Sequence, residues 1–225
     1  MDSSFSGIET WVFDLDNTLY PPECALFELV DEKMRTYIAK MLKITEADAH
    51  FIQKAFFRDH GTTLAGLMAN HGVDPHHFLE YVHDIDLSRL TTAPLMRTEI
   101  SALPGRKIVF TNADADYAQR VLSMLGLENI FDDIVDIHDM AYVPKPAAAA
   151  YQTLLTRTGI NPSSSLFVED MARNLAQAKA LGMTTIWINN GSEYGNAWAD
   201  SSFIDIEIPN LAGWLASPFL TERAT

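Results

Sequence analysis

Apolar and polar positions follow two different rhythms along this 225-residue chain. Residues 8–14, IETWVFD, are a short apolar run ending in an acid, the pattern of a buried strand. From 21 to 103 the spacing is helical. Leu26, Val30, Met34, Ile38 and Leu42 recur every four residues, as one face of an amphipathic helix would. Thr45 opens TEAD, a capped start, and Gly61 supplies a stop. Asp74 and Pro75 stand at the cap and first turn of VDPHHFLEYV. From Lys107 onward the rhythm changes. KIVFTN, IVDIHD, SLFVED and TTIWIN predict strands, separated by helical runs at 115–125, 147–158 and 171–181. Strands alternating with helices imply right-handed crossovers and a parallel sheet. The expected architecture is α/β, with a parallel-sheet core in residues 1–20 and 104–225. An all-helical insert over 21–103 follows the first strand. Because long inserts in compact domains are usually functional, this one is expected to cover what lies at the end of that strand.

That end carries Asp14-Leu15-Asp16. Residues two apart on a strand point the same way, so two carboxylates are pushed together and disfavour each other's ionisation. The global charge deepens the problem. A net charge of −14 and a pI near 4.7 argue against a nucleic-acid binder, because such a field repels phosphate backbones. A phosphorylated ligand would need positive charge brought to it locally, and a metal ion is an economical source. Cys24 is the lone cysteine, MDSSFSGIET lacks the pattern of a secretory leader, and no stretch has membrane-spanning length. A cytoplasmic protein with no membrane or nucleic-acid partner is expected.

Open α/β sheets bind ligands at the carboxyl ends of their strands. After Asp14 and Asp16, the second strand ends in Thr111-Asn112, Lys145 lies in VPKP after the third, and the fourth ends in Glu169-Asp170. Taken singly, each acid reads as a turn or cap residue, and Lys145 as a solvated loop lysine. Converging on one edge, they are groups suited to phosphate and Mg²⁺, and a cation there would offset the repulsion.

FDLDNTLY, VFTN, PKP and VEDMARN, in this order, resemble the four motifs of the haloacid dehalogenase superfamily. FDLDNTLYP, RDHGTTLAGL, YVHDIDLSRL and KIVFTNAD are most similar to its pyrimidine 5′-nucleotidase-type group. The chain departs from those relatives in having His60-Gly61 where they tend to have Tyr-Gly, and Tyr117-Ala118 where they tend to have His-Ala. The resemblance implies a Rossmann-like core with a helical cap, and a Mg²⁺-dependent phosphomonoester hydrolase. Asp14 would attack phosphorus to form an aspartyl-phosphate, and Asp16 would serve as acid and then base, its pKa raised by the neighbouring Asp14. Asp14, the Asp16 carbonyl and Asp170 would hold Mg²⁺, with Glu169 binding directly or from one layer behind. Leu15, Thr111, Asn112 and Lys145 would bind the phosphoryl oxygens. The implied substrate is a small phosphorylated metabolite, a pyrimidine nucleoside 5′-monophosphate, with Arg58, Thr62 and Thr63 as cap residues that meet it. A monomer or homodimer is compatible with the chain.

Other readings are a sugar-phosphate phosphatase or phosphomutase of the same superfamily, a haloacid dehalogenase, and a non-catalytic phospho-acceptor domain. Asp16 speaks against a dehalogenase, which needs no acid for a halide. The helical insert speaks against a phospho-acceptor domain. DLDNTL has no glycine for a dinucleotide fingerprint. His71, His76, His77 and His83 read as solvated helix positions rather than a zinc site. Trp11, Trp187, Trp198 and Trp214 read as packing residues, and the tail from Ser192 as a last strand and helix.

Overall fold

The computed structural model describes Phe5 and residues 7–217. Six strands form one sheet: β1 (Thr10–Phe13), β2 (Arg106–Phe110), β3 (Asp133–Val135), β4 (Ser165–Glu169), β5 (Thr184–Ile188) and β6 (Ile206–Ile208). Their order is β3-β2-β1-β4-β5-β6, and every pairing is parallel. β1 is central, with Val12 facing Ile108 on one side and Phe167 on the other. Parallel sheets are covered on both faces, which is why β1 and β4 are buried along their whole length. The chain moves from β1 outward through β2 to β3, then crosses back to β4 on the other side of β1. That reversal opens a crevice at the carboxyl ends of β1, β2 and β4.

Between β1 and β2 run α1 (Leu26–Leu42), α2 (Glu46–His60), α3 (Thr63–His71), α4 (Pro75–His83) and α5 (Pro94–Ala102). The caps expected from sequence form: the Thr45 hydroxyl accepts from the Asp48 N–H at 3.1 Å, and the Asp74 carboxylate from the His76 N–H at 3.0 Å. Leu26, Val30 and Ile38 are the buried face of α1. The helices α1 to α4 pack on one another, whereas α5 packs against the C-terminal α10 (Leu211–Leu215). The later crossovers are α6 (Ala115–Leu125), α7 (Ala148–Thr158) and α8 (Ala172–Ala180), with a short α9 (Glu193–Asn196) after β5.

Two expectations are corrected. The third strand ends at Val135 instead of continuing through IVDIHD, because the Asp136 carboxylate accepts from the main-chain N–H of Ala115 at 2.8 Å and of Asp139 at 2.9 Å, turning the chain. Trp198 is not a packing residue of the core. It is exposed and lies over the Arg173 guanidinium. Trp11, by contrast, is buried and joins an aromatic cluster with Phe5 and Trp214.

Candidate active site

The end of β1 delivers Asp14, its N–H bonded to the Val168 carbonyl at 3.0 Å. Lys145 meets it there. Its ammonium donates to Asp14 Oδ1 at 2.7 Å, Glu169 Oε2 at 2.8 Å and the Phe110 carbonyl at 2.7 Å. All three of its protons are thereby used, and the rings of Phe110 and Phe167 lie 5.1 and 5.3 Å from the charge. With 1% of its side chain exposed, Lys145 is the opposite of a solvated loop lysine. Burial alone would push its pKa down, but Asp14 and Glu169 carry it above the ordinary value. The lysine's backbone is held in turn by Asn112, whose Oδ1 accepts from the Lys145 N–H at 2.9 Å and whose Nδ2 donates to its carbonyl at 3.3 Å. The Asn112 side chain is therefore occupied, leaving its main-chain N–H for a ligand.

Glu169 is saturated. Its Oε1 accepts from the Met171 N–H at 3.1 Å, and its Oε2 from Asn174 Nδ2 at 3.1 Å as well as from Lys145. Asp170, also buried, receives a 3.4 Å contact from Asn190 Nδ2 on its side chain. Oxygens of Asp14, Glu169 and Asp170 lie within 4.8 Å of one another. Burial, then the charge of Glu169, pushes the Asp14 pKa from 3.8 to about 7 against the pull of Lys145. The same two causes lift Asp170 well above the carboxylate range. One ammonium among three buried carboxylates leaves the cluster short of positive charge.

Asp16 lies at the cleft, and its Oδ1 accepts from the Tyr20 hydroxyl at 2.6 Å and the Tyr117 hydroxyl at 3.0 Å. Its pKa is raised as expected, but chiefly by burial, with the Tyr20 hydroxyl and His83 acting in the other direction. The expectation that Asp14 supplies the push is corrected accordingly. Leu15 and Thr111 are both buried, and the Thr111 hydroxyl accepts from the Ala113 N–H at 3.0 Å.

These groups floor a cleft of about 770 Å³ whose far side is built by the helical insert, including Phe27, Met34, Phe57, Thr62, Thr63 and Phe78. The Thr62 hydroxyl caps α3 by accepting from the Ala65 N–H at 3.1 Å. Arg58 is not at the cleft. Its side chain is exposed and donates to its neighbour Asp59 at 2.8 and 3.2 Å, so the expected contact between Arg58 and a substrate is corrected. Arg173, which the sequence reading passed over, lines the cleft, as does Arg35. The Arg173 guanidinium lies between Phe57 at 4.3 Å and Trp198 at 4.8 Å, donates to the Gly61 carbonyl at 2.9 Å, and has a pKa lowered by burial. Its position in the first turn after the Glu169-Asp170 pair was the available signal. Gly61 ends α2 with φ of 87°, and a side chain there would abut Pro144 beside Lys145.

His83 is also corrected. It is buried, its Nδ1 is bonded to the Asp114 carboxylate, and its ring stacks on Tyr117 at 4.3 Å. His71, His76 and His77 are exposed, as expected, and among the described residues no histidine joins a metal-binding group.

A family model described as haloacid dehalogenase-like hydrolase matches residues 8–182. The chain is 23% identical over 193 residues to "Phosphate metabolism protein 8" of Saccharomyces cerevisiae, covering 78% of this chain and 60% of that protein. Over 93 residues it is 31% identical to "Phosphoglycolate phosphatase" of Yersinia pestis, covering 41% of this chain and 40% of the relative. The chain thus spans less than two thirds of the length of either. Its fold is like that of CbbY from Rhodobacter sphaeroides, solved in complex with phosphate, at a TM-score of 0.64 and 18% identity over 96% of this chain and 99% of the other. The protein belongs to the haloacid dehalogenase-like hydrolase family.

Proposed function

We propose that the chain is a Mg²⁺-dependent phosphomonoester hydrolase that works through an aspartyl-phosphate on Asp14, with pyrimidine nucleoside 5′-monophosphates as its substrates. One observation carries the reading: a buried lysine bonded to the Asp14 carboxylate at the mouth of a charge-deficient acidic cluster. A dianionic phosphate needs that positive charge, and the nucleophile needs to be held as an anion. The phosphatase name of one relative agrees with it. Residues 1–20 and 104–225 act as the catalytic core and 21–103 as the cap.

Asp14 attacks phosphorus, and Asp16 protonates the departing oxygen, later taking a proton from the water that cleaves the acyl phosphate. The Thr111 hydroxyl and the main-chain N–H groups of Leu15 and Asn112 receive the phosphoryl oxygens where charge develops, and Lys145, on giving up one of its three present bonds, adds its ammonium to them. The cleft residues fit a magnesium ion, since hard carboxylate oxygens converge and the cluster lacks countercharge. Asp14, Asp170 and the Asp16 carbonyl would hold it, with Glu169 behind, fixed by Lys145 and Asn174. Bound there, the cation neutralises the charge of the phosphate and its surroundings.

Asp14 sets a pH signature for metal binding. Its folded-state pKa of about 7 exceeds its ordinary 3.8, so its contribution to stability is complete below 3.8 and is lost as pH rises through about 7. Magnesium reverses that loss. The melting temperature is expected to rise on adding millimolar Mg²⁺ at pH 8, and to rise less at pH 5. An equal response at both values would remove the cluster as the metal site.

Substrate choice rests on the apolar wall of Phe27, Met34, Phe57 and Phe78, which suits a planar base, and on Thr62, Thr63 and Arg173 for its polar edge. The discriminating measurement is kcat/KM for UMP, CMP, AMP and a set of sugar phosphates. UMP or CMP is expected to lead. A sugar phosphate ahead by about tenfold or more would end the nucleotidase reading and leave the phosphatase reading standing. The presence of Asp16 favours ester hydrolysis over dehalogenation, and halide release from 2-chloropropionate is expected to be absent.

A further inference from the structure

We propose that Tyr117, together with Tyr20, is a positioning residue that decides which oxygen of Asp16 gives up the proton. This deepens the hydrolase reading and rests on Asp16 being its acid. Both phenol hydroxyls donate to the same atom, Oδ1, at 2.6 and 3.0 Å. Among the described residues Oδ2 has no hydrogen-bond partner. An oxygen already accepting two O–H bonds is a poor place for a proton, so a protonated Asp16 carries it on Oδ2. The two bonds also restrain the carboxyl from rotating about its own axis. As the Asp14 oxygen bonds to phosphorus, the ester P–O bond breaks, its electron pair goes to the leaving oxygen, and that oxygen takes the Oδ2 proton.

The placement of Tyr117 is itself built. The Asp114 carboxylate caps α6 by accepting from the Tyr117 N–H at 2.7 Å, which sets the first turn on which the tyrosine stands. The same Asp114 grips His83, the last residue of α4, and the two rings stack at 4.3 Å with 13° between their planes. Arg120 donates to the His83 carbonyl at 2.7 Å, and its guanidinium lies 5.9 Å from the Tyr117 ring. The insert and the core thus share one arrangement, in which the seating of α4 supports Tyr117. Tyr20 reaches the same oxygen from the chain leaving β1, four residues beyond Asp16.

The test uses leaving groups. An acid matters for an ester whose alcohol is a poor leaving group, and little for p-nitrophenolate, which departs without a proton. Phenyl phosphate and p-nitrophenyl phosphate serve as probes for the wild type, Tyr117→Phe, Tyr20→Phe and Asp16→Asn, with inorganic phosphate as the readout. Phenylalanine keeps the ring stack on His83 and removes only the hydroxyl. Tyr117→Phe is expected to lower kcat/KM for phenyl phosphate by about tenfold while leaving that for p-nitrophenyl phosphate within about threefold, a fraction of the ~10²–10⁴-fold that general acids supply. Asp16→Asn is expected to show the same selectivity, larger. If Asp16→Asn lowers kcat/KM, which reports only the steps up to loss of the alcohol, equally for the two esters, the acid reading falls and this inference with it. If Asp16→Asn is selective and Tyr117→Phe either slows both esters alike or slows neither, only the positioning role falls. The double variant Tyr20→Phe/Tyr117→Phe is expected to approach Asp16→Asn in selectivity, and one no more selective than Tyr117→Phe would remove Tyr20 from the pair.

Discussion

Asp14→Asn is expected to reduce phosphate release by roughly three to six orders of magnitude, the scale seen when a covalent nucleophile is removed. The fold is expected to survive. Asparagine has the same shape, its Oδ1 can still accept from the Lys145 ammonium now 2.7 Å from the carboxylate, and a buried cluster of like charges loses one member. An amide cannot form the acyl phosphate, so the loss is chemical rather than structural. The check is phosphate release alongside a thermal melt, with acid-quenched protein examined for a phosphoryl adduct on the wild type. Retention of a tenth of the activity, or an adduct on another residue, would displace Asp14 as the nucleophile.

The second large effect belongs to Lys145. Lys145→Met is expected to cost about 3–5 kcal/mol of stability, because deleting one partner of a buried pair leaves uncompensated charge behind. Methionine fills much of the volume between Phe110 and Phe167, so lost packing is a small part of the effect. What remains is Asp14 facing Glu169 with Asp170 beside them. Asp14 and Asp170, both raised by burial, ionise as pH rises, so the deficit relative to wild type is expected to grow between pH 5 and pH 8. Urea unfolding at the two values measures it. Lys145→Met/Glu169→Gln is expected to recover part of the loss, since the two changes share a contact and are not additive. A Lys145→Met protein as stable as wild type at pH 8 would show that Lys145 does not carry the compensating charge. Activity is expected to fall together with stability in the single variant and to stay low in the double one, where part of the stability returns without the positive charge beside Asp14.

The amino-acid sequence determined more of this protein in some places than in others, and the division is physical. Local signals settled the parts that depend on near neighbours. The cap residues Thr45 and Asp74 are where their side chains can satisfy free N–H groups, and α2 and α4 start there. Continuous apolar runs bounded by turns marked β1, β2, β4 and β5, because strands covered on both faces need no alternation. Order along the chain, with crossover handedness, then placed Asp14, Thr111, Lys145 and Glu169 at one edge of the sheet.

Only the tertiary structure decided what each of those groups experiences. Lys145 reads as a loop lysine until Asp14, 131 residues earlier in the chain, and Glu169 are brought to its ammonium. Asp16 is lifted mainly by desolvation, a property of everything packed around it and invisible in the two-residue spacing of the aspartates. His83 shares its helical spacing with the exposed His76, yet the seating of α4 against Asp114 and Tyr117 buries one and leaves the other in water. Arg58 and Arg173 are equally charged and equally plausible on paper. Arg58 has a carboxylate next door to satisfy it, whereas Arg173 is sandwiched by two rings from distant segments and turned toward the cleft. Spacing reports which face a residue shares with its neighbours. Burial and long-range partners, which set charge state and orientation, exist only once the chain has closed on itself.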